Sequence, residues 1–560
     1  MFHSKRGVRA SRRRRVAYRA GGEGLEDRAL MAQAAPLDLL NVASKPLGVE
    51  ETGVTPLSGS GWKVADVGDV NGDGWDDWVI AAPTVATSIE TGFPVLGQSG
   101  TGTGPNTSQV FLIFGSLQVN VGSIPSIVDY LSLNAQQRVG DLTATTISGV
   151  VAGGLGTTTQ VNPTNATATG AFQFSGITFT VGANTNPIGS ASNINFQLGA
   201  SITPLGDING DGFADFLIGA PGAPDSTGLL PGAGRAYLVY GGSQFSTANP
   251  GLTTEALDNP TPTLPPIVTF VTAQPGAALG SSGADGIFFT DSTLPDLAIG
   301  APGALNRAGE TFVLKNSGLP QGIASPTPAF GSETINVDTT GQTGSLFPGT
   351  IFTGQTAGDQ SGFSLAMVGD VSHSTTNTSQ SDLLIGAPQN GFFTGLGAPN
   401  GLAYFINANT STVFTNLAST VGGLTSISLS QVAAVTSTGV PTTNQVPGAV
   451  FTTSSAAGNQ GFQIGYSVAT AGTINGGPSF MIGAPIWDRL FLFTNQGTTA
   501  PRGFINLDQL SLNSTGTQPT TPTPTIPVFT IFTGGAMGIT GDLVGWSETA
   551  VGSHTGSTGV

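Results

Sequence analysis

Two nonapeptides place oxygen-bearing side chains at alternating positions. Asp69-Val70-Asn71-Gly72-Asp73-Gly74-Trp75-Asp76-Asp77 and Asp207-Ile208-Asn209-Gly210-Asp211-Gly212-Phe213-Ala214-Asp215 both read D-x-N-x-D-G-x-x-D. In a tight loop the side chains at positions one, three and five can turn onto a single hard cation. Glycine at position six permits the turn, the backbone carbonyl at seven adds a ligand, and the aspartate at nine completes an all-oxygen shell. Three carboxylates crowded this closely repel one another unless a divalent ion sits among them. The spacing predicts calcium (Ca2+) in each loop, held by Asp69, Asn71, Asp73, Trp75 and Asp77 in one and by Asp207, Asn209, Asp211, Phe213 and Asp215 in the other. The alternative is an ion-free Asn-Gly turn. A helix-loop-helix calcium site would need glutamate at position twelve, where Ile80 and Ile218 stand inside apolar runs.

Both loops lie inside a phrase that returns along the chain: a Gly-containing strand start, a Gly-Asp turn, a short apolar strand and a Gly-Ala-Pro stop. The fullest copies are GWKVADVGDVNGDGWDDWVIAAP, ending at Pro83, and LGASITPLGDINGDGFADFLIGAP, ending at Pro221. Fainter copies end at Pro302, Pro388 and Pro485, and a sixth runs out at His554. After each of the first five comes another apolar run: VFLIFG, AYLVYGG, TFVL, AYFI and LFLF. Runs of this length between Gly, Pro and Asn are strand signals, and no stretch keeps a helical period. Each unit is therefore expected to supply about four strands. The interval between Pro83 and Pro221 is nearly two units long. Within it Val139-Gly140-Asp141, Ile147 to Gly153 and Ala171 to Phe174 read as a degraded seventh copy or as one long Gly/Thr-rich insertion. In the fainter copies Asp296, Asp370, Asp382 and Asp542 survive without the full ligand set, which suits polar turns better than metal.

From about residue 55 to residue 555 these phrases resemble FG-GAP repeats of the integrin alpha propeller and its bacterial relatives. The resemblance implies an all-β fold, a β-propeller of seven four-stranded blades with six repeats recognisable, closed into a ring over residues 37–560. It further implies a calcium-binding, exported or cell-surface adhesion module whose loop face takes a protein or glycan ligand. Some proteins with such repeats are phospholipases, so a hydrolase on the same scaffold is the rival reading, and an architectural surface-layer component is a third.

Composition agrees with a binding module. Only 9% of residues are charged, and 83 Gly and 36 Pro suit a loop-rich β protein. The first 28 positions hold nine of the 17 bases and three of the 33 acids, so the rest of the chain carries about −22. A body of that sign repels nucleic acid and anionic membranes and suits divalent cations. Cysteine is absent, which excludes disulfides and thiolate metal sites. No apolar run approaches the length of an integral membrane span. Residues 1–36 read as a basic leader or disordered arm, and Leu25 to Met31 resembles the L-E-x-R leader of certain large bacterial surface proteins. Leu37 to Ala43 is the unassigned apolar stretch expected to pair with the final blade.

Nothing points to catalysis. His3, His373 and His554 lack catalytic neighbours, no G-x-S-x-G, G-x-x-x-x-G-K or H-E-x-x-H occurs, and Ser60-Gly61-Trp62-Lys63 lacks the companions of an S-x-x-K site. Trp62, Trp75, Trp78, Phe213 and Phe216 are expected in core packing rather than on a sugar platform.

Overall fold

The computed structural model describes residues 50–52, 59–83, 108–115, 119–120, 139–141, 150–152, 157–161, 169–173, 176–181, 196–225, 227–245, 252–258, 267–289, 293–320, 333–340, 348–372, 380–388, 400–408, 419–421, 424–432, 446–453, 462–474, 477–494, 501–510 and 528–533. The chain divides into two compact units, residues 1–50 with 126–139, and residues 51–125 with 140–560. The architecture below belongs to the second. The expectations for residues 1–36, for Leu37 to Ala43, for the three histidines, for Asp542 and for the sixth copy fall outside the described residues.

Each of the first five copies becomes one antiparallel sheet of four strands taken in chain order. The first is Lys63–Gly68, Asp77–Ala82, Gln109–Ile113 and Gly176–Thr180. The second is Ser201–Gly206, Asp215–Ala220, Arg235–Val239 and Ile267–Val271. The third is Ser282–Gly286, Asp296–Ala301, Glu310–Leu314 and Gly349–Thr353. The fourth is Ser364–Met367, Leu383–Ala387, Leu402–Ile406 and Gly448–Thr452. The fifth is Val468–Ile474, Gly477–Ala484, Arg489–Thr494 and Val528–Thr533.

The second strands are buried on both faces, which is why they read as unbroken apolar runs; all six residues of Asp215–Ala220 are buried. Successive side chains point to opposite sides. Phe216 and Ile218 join a core shared with the first sheet, and Leu217 joins one shared with the third. Equivalent cores fill the space between the third and fourth sheets and between the fourth and fifth. The first strands of successive sheets lie next to one another in chain order.

The glycines of the repeated phrase make the contact between sheets. The glycine that opens a copy donates its N–H to the glycine of that copy's own stop, Gly199 to Gly219, Gly280 to Gly300, Gly362 to Gly386 and Gly465 to Gly483, at 2.8–3.1 Å. Its carbonyl accepts a serine hydroxyl from the preceding sheet: Ser201 Oγ to Gly280, Ser282 Oγ to Gly362 and Ser364 Oγ to Gly465, at 2.7–2.9 Å. A Cβ on Gly300 would run into the carbonyl of Gly362, so close backbone approach requires glycine there.

A further set of strands has no counterpart in the four-strand expectation. Leu252–Ala256, Glu333–Asn336, Leu424–Ser428 and Gly503–Asn506 each leave the connection between the third and fourth strands of one copy and pair in parallel with the fourth strand of the preceding sheet. Parallel pairing needs a long crossover, and here the body of the next sheet supplies it. Four outer edges are covered this way. The third sheet gains one more strand, Ser419–Val421. Val528–Thr533 has no such parallel partner among the described residues.

The stretch read as a degraded seventh copy is an insertion into the first sheet. Val119–Asn120, Thr169–Gln173, Thr157–Val161 and Val150–Ala152 form a separate antiparallel sheet in that order. It falls in the chain between Gln109–Ile113 and Gly176–Thr180, the third and fourth strands of the first copy, so no copy is complete at Pro83 plus one strand. Among the described residues no helix is long and apolar enough to cross a membrane.

Candidate metal centres

The two nonapeptides connect the first and second strands of the first and second sheets, and they fold alike. A bulge where the pairing shifts between Asp66 and Gly68, and again between Pro204 and Gly206, ends the first strand and turns the chain into the loop. In the first loop Asp69 Oδ1 accepts N–H of Gly72 at 2.7 Å and of Asp73 at 3.1 Å, and Oδ2 accepts that of Gly74 at 2.8 Å. Asn71 Oδ1 accepts N–H of Asp73 at 2.9 Å and Asp73 Oδ1 accepts that of Trp75 at 2.9 Å. In the second loop Asp207, Asn209 and Asp211 accept the corresponding five N–H groups at 2.6–3.1 Å. Asn71 Nδ2 donates to Asp73 Oδ2 at 3.1 Å, and Asn209 Nδ2 to Asp211 Oδ2 at 2.9 Å. Gly74 and Gly212, the sixth positions, hold φ of 89° and 92°, a conformation that costs other residues.

The ninth-position aspartates are inaccessible to solvent. Asp77 Oδ2 accepts N–H of Val70 at 2.9 Å and Oδ1 that of Gly115 at 2.7 Å. Asp215 does the same for Ile208 at 2.9 Å and Gly241 at 2.8 Å. Each carboxylate thus ties the loop's start to the end of the third strand. Burial pushes Asp77 up to about 7 and Asp215 up to about 8; the amides oppose the shift, and the nearby charges of Asp73 and Asp69, or of Asp211 and Asp207, add to it.

The same tie recurs where the rest of the ligand set is missing. Asp296 accepts N–H of Phe288, Phe289 and Asn316 at 2.8–2.9 Å. Asp382 accepts that of Ser372 at 2.6 Å and of Ala408 at 2.9 Å. In the fifth sheet Ser479 takes this place, and the first two strands pair until only two residues separate Ile474 from Gly477. The aspartate therefore serves the backbone in four sheets whatever the loop before it carries. The signal was in the sequence: in all four copies it stands six residues before the stop proline.

Two further placements bear on the site. Trp75, expected in the core, is 44% exposed on the first loop, because the seventh position sits at the outer turn rather than in the strand. Phe216 is in the core as expected, and Trp62, Trp78 and Phe213 are half-buried. Among the described residues no three acidic or histidine side chains are already gathered to hold a metal ion. The loop amides occupy Asp69 and Asp207, and the asparagine amides lie against Asp73 and Asp211. The donors are all hard oxygens on one short loop, which fits calcium in kind.

Residues 198–239, which run from the opening of the second copy through its third strand, match the family model of the FG-GAP repeat. No curated protein matches the chain closely enough to count as a relative.

Proposed function

We propose, from the FG-GAP repeat at residues 198–239 and the four further copies built on the same plan, that the chain is an integrin-alpha-like β-propeller that binds calcium and works as an exported or cell-surface binding module, not an enzyme. The side-by-side first strands and the shared cores of the five described sheets support a blade arrangement.

The observation that carries the metal reading is the repetition of one hydrogen-bond network in two loops of different flanking sequence. Asp69, Asn71, Asp73, the Trp75 carbonyl and Asp77 would hold one ion; Asp207, Asn209, Asp211, the Phe213 carbonyl and Asp215 would hold the other. Calcium supplies positive charge that offsets the crowded carboxylates and fixes the loops. With an ion bound, Asp73 and Asp211 would turn toward it the oxygens that accept the asparagine amides here. Loops of this kind, without a bidentate glutamate, suit the weak affinities of extracellular modules, which fill at the calcium levels outside cells. Exposed Trp75 offers an aromatic surface beside the first loop for a protein or glycan.

The test is a glycan and surface-protein binding screen with purified chain in calcium and in chelator, repeated with Trp75→Ala. Binding that needs calcium and weakens in the variant supports the module; a partner bound equally well in chelator contradicts it. Reproducible turnover of ester, phosphodiester or glycosidic substrates, lost on a point substitution, would overturn the non-enzymatic reading.

A further inference from the structure

The two loops touch. Ala214, between the seventh and ninth positions of the second loop, donates its N–H to the carbonyl of Asp69, the first position of the first loop, at 2.9 Å. The Phe213 ring closes over Gly72, leaving no room for a Cβ there, and the Ala214 methyl lies against Gly68. A second link runs through the turn after Arg235–Val239. Gly241 donates to Asp215 Oδ1 at 2.8 Å, and its neighbour Gly242 donates to the carbonyl of Val70 at 2.8 Å. The half of the second loop that carries its seventh and ninth ligands thus supports the backbone that carries the first ligands of the other loop.

We infer that the loops take calcium as a coupled pair, the ion in the second loop raising the affinity of the first. The inference rests on the calcium reading given under the proposed function. An ion drawing in the Phe213 carbonyl and Asp215 fixes the peptide of Ala214 from both sides. That peptide holds Asp69 in place, and the Asp215–Gly241 bond fixes the turn that holds Val70. With the second loop empty, the first ion must order these groups itself and binds more weakly. Coupling of this kind is reciprocal, so emptying the first loop weakens the second by the same factor.

Terbium luminescence sensitised by tryptophan reports on the first loop, where Trp75 lies; loss of the signal in Trp75→Phe identifies the donor, and its loss in Asp73→Asn assigns the ion to that loop. The full chain is titrated with terbium as wild type and as Asp211→Asn, which keeps an acceptor for the Phe213 amide but removes the charge. The expected result is a terbium midpoint for the first loop at least about fivefold higher in Asp211→Asn, at an unchanged circular-dichroism spectrum. Calcium calorimetry on Asp73→Asn then gives the reciprocal weakening at the second loop. Midpoints within twofold of wild type in both variants overturn the coupling and leave two independent sites. Absence of both terbium emission and calcium heat in the wild type overturns the calcium reading itself.

Discussion

Asp296→Ala isolates the backbone role of the ninth-position aspartate, because the third loop lacks the D-x-N-x-D set. The carboxylate is fully buried and accepts three N–H groups, from Phe288, Phe289 and Asn316. Truncation leaves three buried donors unmet, each costing about 1–3 kcal/mol, with partial relaxation offsetting the upper end. The expected loss is about 3–5 kcal/mol, large for one substitution. It also reaches the neighbouring copy, since the Asn316 side chain bonds the carbonyl of Ile208 at 2.7 Å. Urea unfolding followed by circular dichroism, in calcium and in chelator, should give the same decrement in both media. A midpoint equal to wild type would refute the argument that this carboxylate holds the loop. A decrement seen only in calcium would show that it binds metal instead.

Gly300→Ala should destabilise by about 1–3 kcal/mol or more, because its methyl meets the carbonyl of Gly362 and the hydroxyl of Ser282. An unchanged melting temperature would contradict the close sheet-to-sheet approach. Stability should also fall as pH rises between about 4.5 and 7 through Glu310, which burial pushes up to about 7, with Asp338 raising it and the Gln274 amide opposing. The folded carboxyl keeps its proton where the unfolded one loses it, so the contribution is present at low pH and lost through pH 7, up to roughly 3 kcal/mol. Glu310→Gln should lessen that slope, which Asp77, Asp215, Asp285 and Asp382 share, while keeping the contact with Gln274; a wild-type slope in the variant would assign the effect elsewhere. Asp211→Ala should remove part of the drop in melting temperature that chelator causes, and a full drop in the variant would detach that response from the second loop.

The strand plan of the five copies was legible because the second and third strands of each are short apolar runs between turn residues, set at a fixed place in the repeated phrase. The parallel edge strands were not, since the phrase they share, T-E-A-L-D, T-I-N-V-D, S-I-S-L-S and F-I-N-L-D, is short and weakly apolar, and each pairs with a sheet belonging to another copy. The long first interval misleads for a related reason. Its Gly-Asp and Thr-rich segments imitate the phrase, but the fourth strand of the first sheet arrives only at Gly176. At the loops, residue types and spacing mark out two segments that fold alike. What spacing hides is that Asp77 and Asp215 face backbone amides, a duty visible only when Asp296 and Asp382 are seen doing the same without the other ligands. The exposure of Trp75 likewise depends on the loop's outward turn, which an apolar residue type does not disclose.

Calcium binding to metal-stripped, folded protein, measured by equilibrium dialysis beside a melting curve, tests the central claim most directly. The account predicts about two ions per chain, lost together with the ligands in the combined Asp73→Ala and Asp211→Ala variant. It also predicts roughly 2.7 kcal/mol of stabilisation per site when free calcium stands about a hundredfold above the dissociation constant. Folded protein that takes up no calcium at millimolar concentration, with a melting temperature indifferent to chelator, would contradict it.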